Sequence, residues 1–507
     1  MTASSRRRSR CTRKTSPSID CFFGRRYREV LWFYFIAGCM TVERQEQEPG
    51  QEGYGVMAGT VIHESEHPIC EQQLDREALK VLYRLRDAGF KGYLVGGGVR
   101  DLYLGREPKD FDISTDARPG QLRQLFRNSR TIGRRFRLVQ VFFRGNKIIE
   151  VSTLRSRSEF DINGEEQVLP SNNTFGTLEE DAFRRDLTIN ALFYEIEHHT
   201  IIDYTGGVQD LDQGIIRMVG DPDRRFTRDP VRMLRVVRHA ARTGFAIEAE
   251  TAAALRRHRE ELRLCPASRI RDEVLKDLQS GASRPWAELC MTSGLWPALF
   301  PFYEACMQGV QGEKIQQELL NIFAVLDRLH ARREDAEPVK VPEPLLFAAL
   351  LLPWACQRFN LPEANVRGQG FHHLSCTIRE DVDLAFGEPF NVQRMAKESL
   401  TTLLINLSTF HHARSQGSDP KWLKKKSYYR DCSRFFDIYL ESQGIEAVKA
   451  ERFVVEHKET EETETVEVVT SVLENGGRES KARGRGGVNP AFSSAKTGVF
   501  GLRRPHD

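Results

Sequence analysis

The chain has 507 residues, of which 40% are hydrophobic and 29% charged, with a formal net charge of +3. Such a length leaves room for several domains with ample core, and the composition excludes a fibrous or wholly disordered chain. The near-balanced charge requires any polyanion-binding surface to be local. Ten cysteines are scattered without a Cys-x-x-Cys pair, which argues against a zinc ribbon or a secreted disulfide framework and for a reducing, cytoplasmic compartment.

In chain order, Arg6, Arg7, Arg8, Arg10, Arg13 and Lys14 precede an apolar run from Val30 to Met40. The run imitates a signal sequence but is too short to span a bilayer, so no stable membrane anchoring is expected. A start codon assigned too early, with Met40 or Met57 as the true beginning, is the favoured account. Without sustained periodicity, residues 1–69 read as a disordered extension.

From Leu74 to Ala88, the residues Leu74, Ala78, Val81, Leu82 and Leu85 recur at helical spacing, and Gly89 ends that helix. Tyr93-Leu94-Val95 then runs as a strand into Gly96-Gly97-Gly98, with a helix expected from Val99. Glycines there let backbone N–H groups approach an anion. The next expected strand carries Asp110 and Asp112 on one face, with Phe111 and Ile113 on the other. Carboxylates beside a phosphate cradle suit metal-assisted phosphoryl or nucleotidyl transfer, because hard Mg²⁺ ions take oxygen ligands. Alone, each motif reads equally as a tight turn or a solvated strand edge; their succession favours nucleotidyl transfer.

Pro119-Gly120 open another helix through Leu122, Leu125 and Phe126. Ile132 to Phe143 begins as a basic turn and ends as a strand, joined through Arg144-Gly145-Asn146 to a second strand, Lys147 to Thr153. Glu150 is the one acid of that second strand, either an exposed edge position or a further carboxylate beside Asp110 and Asp112. Residues 155 to 176 are polar and rich in Gly, Asn and Ser, a loop near the site. In Glu179 to Leu192, Arg185 and Asp186 sit among apolar residues. They read as a buried ion pair or as ligand groups, Arg for phosphate and Asp and Asn for ribose hydroxyls or metal-bound water.

Ile201 to Gly207 is a short strand and turn, followed by Asp210-Leu211. A helical region follows, in which Asp229, Arg232, Arg235, Arg238 and Arg242 recur at three-to-four-residue spacing along one face. That stripe is either solvated or suited to a base edge and phosphates. Ile270 to Leu278, Leu295 to Phe300 and the buried Leu345 to Trp354 continue the helical pattern. Trp422 to Arg430 interleaves Lys424, Lys425 and Lys426 with Trp422, Tyr428 and Tyr429, as in an amphipathic helix or a contact to single-stranded nucleic acid. The last stretch, acidic near Glu459 and basic after Gly476, reads as a disordered tail whose basic half could hold RNA electrostatically.

Leu94 to Thr115, Arg184 to Ala191, Asp203 to Leu211 and Asp229 to Arg242 together resemble the successive motifs of class II nucleotidyltransferases, the family of CCA-adding enzymes and bacterial poly(A) polymerases. The run Ile132-Gly133-Arg134-Arg135-Phe136-Arg137-Leu138 looks like the signature of the poly(A) polymerase branch, and the basic C-terminus points the same way. There are departures: Arg228 where Glu usually precedes Asp229, Gln140 where His is common, and His239 where Phe is common.

The resemblance implies an α/β nucleotidyltransferase head with a small mixed sheet and helices, followed by an all-α neck, body and tail. On that pattern the head covers 70–217, the neck 218–285, the body 286–400, an RNA-binding helical region 401–455 and the tail 456–507. It further implies that Asp110 and Asp112 hold two Mg²⁺ ions, and that Asp186 counts among the active-site acids with Glu150 beside it. ATP would be bound by Gly96, Gly97, Arg100, Asp101, Arg185, Asn190, Asp229, Arg232, Arg235 and Arg238. The expected activity is template-independent addition of adenylate to an RNA 3′ end, with RNA and ATP as partners and RNA-decay proteins as further ones. The alternatives are CCA or A addition to tRNA and an inactive RNA-binding module.

Overall fold

The computed structural model describes residues 59–133, 137–156, 175–331, 339–387 and 390–453. The extensions 1–58 and 454–507, Arg134 to Phe136 of the signature run and 157–174 of the expected loop lie outside the described residues. The described residues up to Arg452 belong to one compact unit.

Eight strands make one sheet: β1 Thr60–Ile62, β2 Gly92–Val95, β3 Asp112–Thr115, β4 Ser129–Ile132, β5 Leu138–Phe142, β6 Ile148–Thr153, β7 Leu192–Glu195 and β8 Thr200–Asp203. Their order across the sheet is β1-β8-β7-β2-β3-β6-β5-β4. All neighbours run antiparallel except β3 and β6, which are parallel, so the sheet is mixed as expected. β5 and β6 form the expected hairpin, with Gly145 at φ 73° and Asn146 at φ 58° supplying the left-handed turn that matches strand twist. The sequence reading placed residues up to 69 in a disordered extension. Instead β1 completes the sheet edge beside β8, and Ile69 is buried. A strand of three residues is too short to leave a periodic signature.

Four helices serve the strands: α1 Arg76–Asp87, α2 Gly97–Tyr103, α3 Pro119–Leu125 and α4 Leu178–Phe183. α1 buries Ala78, Val81, Leu82 and Leu85 along one face, and the Asp75 carboxylate caps it by accepting from the Glu77 and Ala78 amides. α5 Gly207–Gln213 closes the head. A Cβ on Gly207 would lie 2.2 Å from the Thr188 carbonyl oxygen, so only glycine lets α5 seat against the turn at 188–190.

The remainder is helical, apart from the two-residue strands β9 Ile215–Ile216 and β10 Ala246–Ile247. α6 Pro222–Arg228, α7 Arg232–Thr243, α8 Ala249–His258 and α9 Ala267–Leu278 follow, then α10 Ser283–Ser293 and α11 Trp296–Leu299. The longer α12 Gly309–His330, α13 Glu343–Phe359, α14 Gln369–Phe386, α15 Arg394–Ser415 and α16 Tyr429–Ser442 complete the described chain. α7 packs on α10, α10 on α12, and α15 on α13, α14 and α16. The expected domain limits at 285 and 400 each fall inside a continuous helix, α10 and α15, because apolar periodicity marks faces rather than boundaries. An aromatic cluster of Trp286, Trp296, Phe300 and Phe323 anchors the region, with Trp296 and Phe300 rings 4.5 Å apart.

No described helix is long and apolar enough to cross a membrane, and the described cysteines are free thiols.

Candidate active site

The glycine turn begins where β2 ends. Gly96 has φ 70° and ψ −135°, a conformation costly for any residue with a Cβ. α2 starts at Gly97, two residues earlier than expected. A Cβ on Gly98 would lie 3.3 Å from the Asp110 carbonyl oxygen, so the bare backbone lets the two motifs pack together.

β3 starts at Asp112, and Asp110 stands just outside it, where a regular strand through both was expected. Parallel pairing sets Asp112 opposite Glu150 of β6, so the two side chains share a face. Asp112 is open to solvent, yet its carboxyl is raised to about 6, first by the surrounding protein that desolvates it, then by Glu150 and Asp110, with Arg185 opposing. Solvent access and desolvation coexist where water reaches a group through one opening while protein surrounds the rest. Glu150 is held by Gln140, whose Nε2 donates to Oε1 at 3.0 Å across the β5–β6 pair. Of its two sequence readings, the structure supports the carboxylate beside Asp112.

Arg185 reaches the same face. Its Nη2 donates to Asp181 at 2.9 Å and to the Ser114 hydroxyl at 3.3 Å, and its Nη1 to the Asn190 carbonyl at 3.3 Å. Its guanidinium lies over the Phe193 ring, and its Nε is buried without a hydrogen-bond partner among the described residues. A Cβ on Gly96 would stand 3.4 Å from Nη1, so this cation borders the glycine turn. Asp181, 1% exposed, was missed by the sequence reading. Burial works against its charge, but Arg185 and Arg184 hold its pKa low. Its spacing of four residues before Arg185 is the signal that could have found it.

Arg100 is 4% exposed and chelates its neighbour Asp101 through Nε and Nη2 at 2.9 and 2.7 Å. Its Nη1 donates to Asn190 Oδ1 at 2.6 Å and meets His239 Nδ1 at 3.2 Å. Burial, then Arg100, lowers the His239 pKa to about 3, so the imidazole is neutral and accepts from Arg100. Arg100, Asp101 and Asn190 therefore form a scaffold joining α2, the 188–190 turn and α7. The Asp203 to Leu211 motif braces that turn, with the Thr188 hydroxyl donating to Asp210 at 2.6 Å and Asp203 accepting from the Thr205 and Val208 amides.

Asp186 lies apart from the groups that act on Asp112. It accepts from the Leu187 amide at 2.9 Å and pairs with Arg235 at 3.3 Å. Although burial opposes its ionisation, Arg235, the Leu187 amide and Arg232 keep its carboxyl well below the usual range. Arg225, which the sequence reading passed over, is 9% exposed and donates to the carbonyls of Phe183, Arg185 and Val219, clamping the segment that carries Arg185 and Asp186.

The expected arginine stripe divides. Asp229 precedes α7, held by Arg269 at 3.1 Å and with Arg232 at 3.8 Å. Arg235 is half-exposed on the Asp186 side. Arg238, 9% exposed, pairs with Glu273 and Asp277 of α9, whereas Arg235 bridges Asp186 at 3.3 Å and Glu273 at 3.8 Å. A helical-wheel reading places arginines on one sector but cannot see that an acid on a neighbouring helix captures one of them.

The carboxylates of Asp110, Asp112 and Glu150 are hard oxygen donors, and desolvation followed by the charges of Glu150 and Asp110 raises Asp112, a donor set whose chemistry suits a divalent cation. Their oxygens do not all lie within 4.8 Å of one another. The group among the described residues that does is Glu195, Glu197 and His198, where Glu195 accepts the turn amides of Glu197 and His198.

Residues 92–217 match the family described as the Poly A polymerase head domain, and residues 244–307 the probable RNA and SrmB- binding site of polymerase A. Poly(A) polymerase I of Escherichia coli O6:H1 is 44% identical over 270 residues, 52% of this chain and 58% of that protein. Poly(A) polymerase I of Haemophilus influenzae is 37% identical over 297 residues, 57% and 64% of the two chains. The CCA-adding enzyme of Bacillus subtilis is 38% identical over 228 residues, 45% and 56%. The chain thus spans less than two thirds of the length of these relatives. The structure of the Bacillus stearothermophilus CCA-adding enzyme in complex with CTP aligns with a TM-score of 0.52 at 23% identity, covering 75% of this chain and 80% of that one, which shows the fold. The apo form II of a CCA-adding enzyme aligns at 0.51 and 21%, covering 76% and 85%. Residues 92–217 and 244–307 thus carry the head domain and the probable RNA-binding segment of poly A polymerases, and the chain is similar over them to poly(A) polymerases and CCA-adding enzymes.

Proposed function

We propose that this protein is a template-independent RNA adenylyltransferase: RNA and ATP give RNA one adenylate longer and pyrophosphate. The observation that carries the reading is Asp112, held opposite Glu150 and next to Asp110, with its carboxyl raised to about 6 beside Arg185 and the glycine turn. Relatives named Poly(A) polymerase I at 37–45% identity support the adenylate reading.

The RNA 3′-oxygen attacks the α-phosphorus of ATP, and the bond to the bridging oxygen of the β-phosphate breaks. Asp110 and Asp112 would hold magnesium, which would supply charge neutralisation and a lowered pKa for the 3′-hydroxyl. Glu150, tied to Gln140, keeps negative charge beside Asp112. The buried Nε of Arg185 and the backbone at Gly96 and Gly97 would receive phosphate oxygens. Asp229, steadied by Arg269, and Arg232 would read the base edge. Arg100, Asp101, Asn190, Asp186 and Arg235 position these groups.

In this reading the head spans 70–217 and the helical neck, body and RNA-binding region follow it, with their limits at helix ends rather than at 285 and 400; the enzyme works in the cytoplasm and hands its products to RNA-decay proteins. A second reading, CCA or A addition to tRNA, is favoured by one observation: Arg228 precedes Asp229 where the family usually has Glu, so the base-reading acid stands without its usual neighbour. The test is extension of a labelled oligoribonucleotide ending in A by the full chain with Mg²⁺ and each nucleoside triphosphate in turn, beside Asp110→Ala. Long ladders with ATP alone, lost in the variant, are expected. One to three additions with CTP used before ATP on tRNA-like ends would move the assignment to CCA addition. RNA binding with no extension would leave a binding module.

A further inference from the structure

A cleft of about 620 Å³ opens in the helical region between the 364–368 segment, the start of α14, one face of α15 and the turn at Pro420 to Trp422. Its size is in the range of small-ligand sites, roughly 300–1,000 Å³. α15 contributes residues at helical spacing, among them Ser408 and His412, and the far wall contributes Arg367, Phe371 and Trp422. Ser408 is 5% exposed, and its hydroxyl oxygen has no hydrogen-bond partner among the described residues. The Nε2 of His412 is buried and likewise without one. Polar groups desolvated in this way cost about 1–3 kcal/mol each unless something pairs with them. At the mouth, Trp422 is 51% exposed, a large aromatic face beside exposed Lys421, Lys424, Lys425 and Lys426.

We propose that this cleft takes a nucleobase of single-stranded RNA upstream of the growing 3′ end, stacked on Trp422, with its edge on Ser408 and His412. The inference rests on RNA being the substrate. A flat ring with in-plane donors and acceptors matches the chemistry: a π-face for the indole, and an edge for a hydroxyl and an imidazole that can each donate or accept. Because both polar groups serve either role, the cleft accepts any base. The flanking phosphates meet Arg367 and the lysines, so binding is salt-dependent.

The experiment is fluorescence anisotropy of the full chain with a 5′-labelled 20-nucleotide oligo(A) and with a labelled trinucleotide, in wild type, Trp422→Ala, Trp422→Phe and His412→Ala. Kd for the 20-mer should rise about tenfold in Trp422→Ala and His412→Ala, within the ~1–3 kcal/mol measured per stacked base, and Trp422→Phe should retain most of the affinity. The trinucleotide should bind all four proteins alike. An unchanged 20-mer Kd in Trp422→Ala, an exposed position whose variant should keep its melting temperature, overturns the proposal. So does AMP binding that needs Trp422 while the 20-mer does not, which would make the ligand a free nucleotide. The readout is separate from catalysis: Trp422-dependent RNA binding without ladders fells the polymerase reading alone, and ladders with Trp422-independent binding fell the cleft alone.

Discussion

At the carboxylate face of the sheet, Asp112 meets Glu150 across the strand pair and Asp110 along the chain; at the head–neck junction, Asp186 meets Arg235, with His239 and Arg232 behind it. The same side chain is pushed up to about 6 in the first setting and held well below its ordinary range in the second. Protein surrounds both, so burial alone does not separate them; the sign of the neighbouring charge does. In the first arrangement like charges outweigh the one opposing cation, Arg185. The second is complete and holds the head against α7. A carboxylate that the fold leaves repelled is a better pointer to chemistry than one that the fold has paired.

Four experiments bear on that contrast. The largest effect is expected from Asp112→Asn, which keeps shape and removes charge: adenylate incorporation should fall about a thousandfold, as losing several kcal/mol of transition-state stabilisation implies. The melting temperature should hold or rise, since repulsion with Glu150 is relieved; a lower one would mean that Asp112 supports the fold. Next is Arg238→Met, which leaves the buried Asp277 without its cation while Glu273 keeps Lys276 and Arg235, and should cost about 3 kcal/mol in urea unfolding. A loss below about 1 kcal/mol would remove the distinction between Arg238 and the half-exposed Arg235.

Third is pH. The folded carboxyl of Asp112 titrates near 6 and an unfolded aspartate near ~3.9, so between these values the folded state binds the extra proton. This group's contribution to stability therefore falls as pH rises from about 4 to about 6, and Asp112→Asn should flatten that slope in urea midpoints read against pH. Divalent-metal affinity should weaken in the opposite direction, as pH drops through about 6, because the protonated acid no longer serves as a ligand. The smallest effect belongs to Arg235→Gln. Its pair with Asp186 is partly exposed and should contribute about 1 kcal/mol or less to stability, and the KM for ATP should move more than kcat.

Much of this site was legible because its parts are local. The three glycines and the Gly145-Asn146 turn each declare a backbone shape within a few residues, and the structure has the turn and the hairpin there, while the strand expected through both aspartates starts only at Asp112. What could not be read depends on distant partners. Glu150 gains its meaning only from the β3–β6 register, and its two readings stayed balanced until that register was known. Arg238 joined the arginine stripe by periodicity, yet α9 supplies acids that turn it inward. Arg225 carries no motif at all; it matters through the backbone carbonyls of a segment some 40 residues away. Asp186 was legible as a charged residue on the core, but the identity of its cation was not.

Parallel pairing of β3 with β6 has a consequence in time. Neighbouring strands that run the same way need a crossover between them, and here α3, β4 and β5 must be traversed before Glu150 can stand beside Asp112. Contacts of that separation form slowly compared with hairpins. During synthesis the glycine turn and both aspartates emerge first, without the strand that completes their face. The carboxylate face is thus a late product of folding, and a nascent head carries both aspartates well before Glu150 joins them.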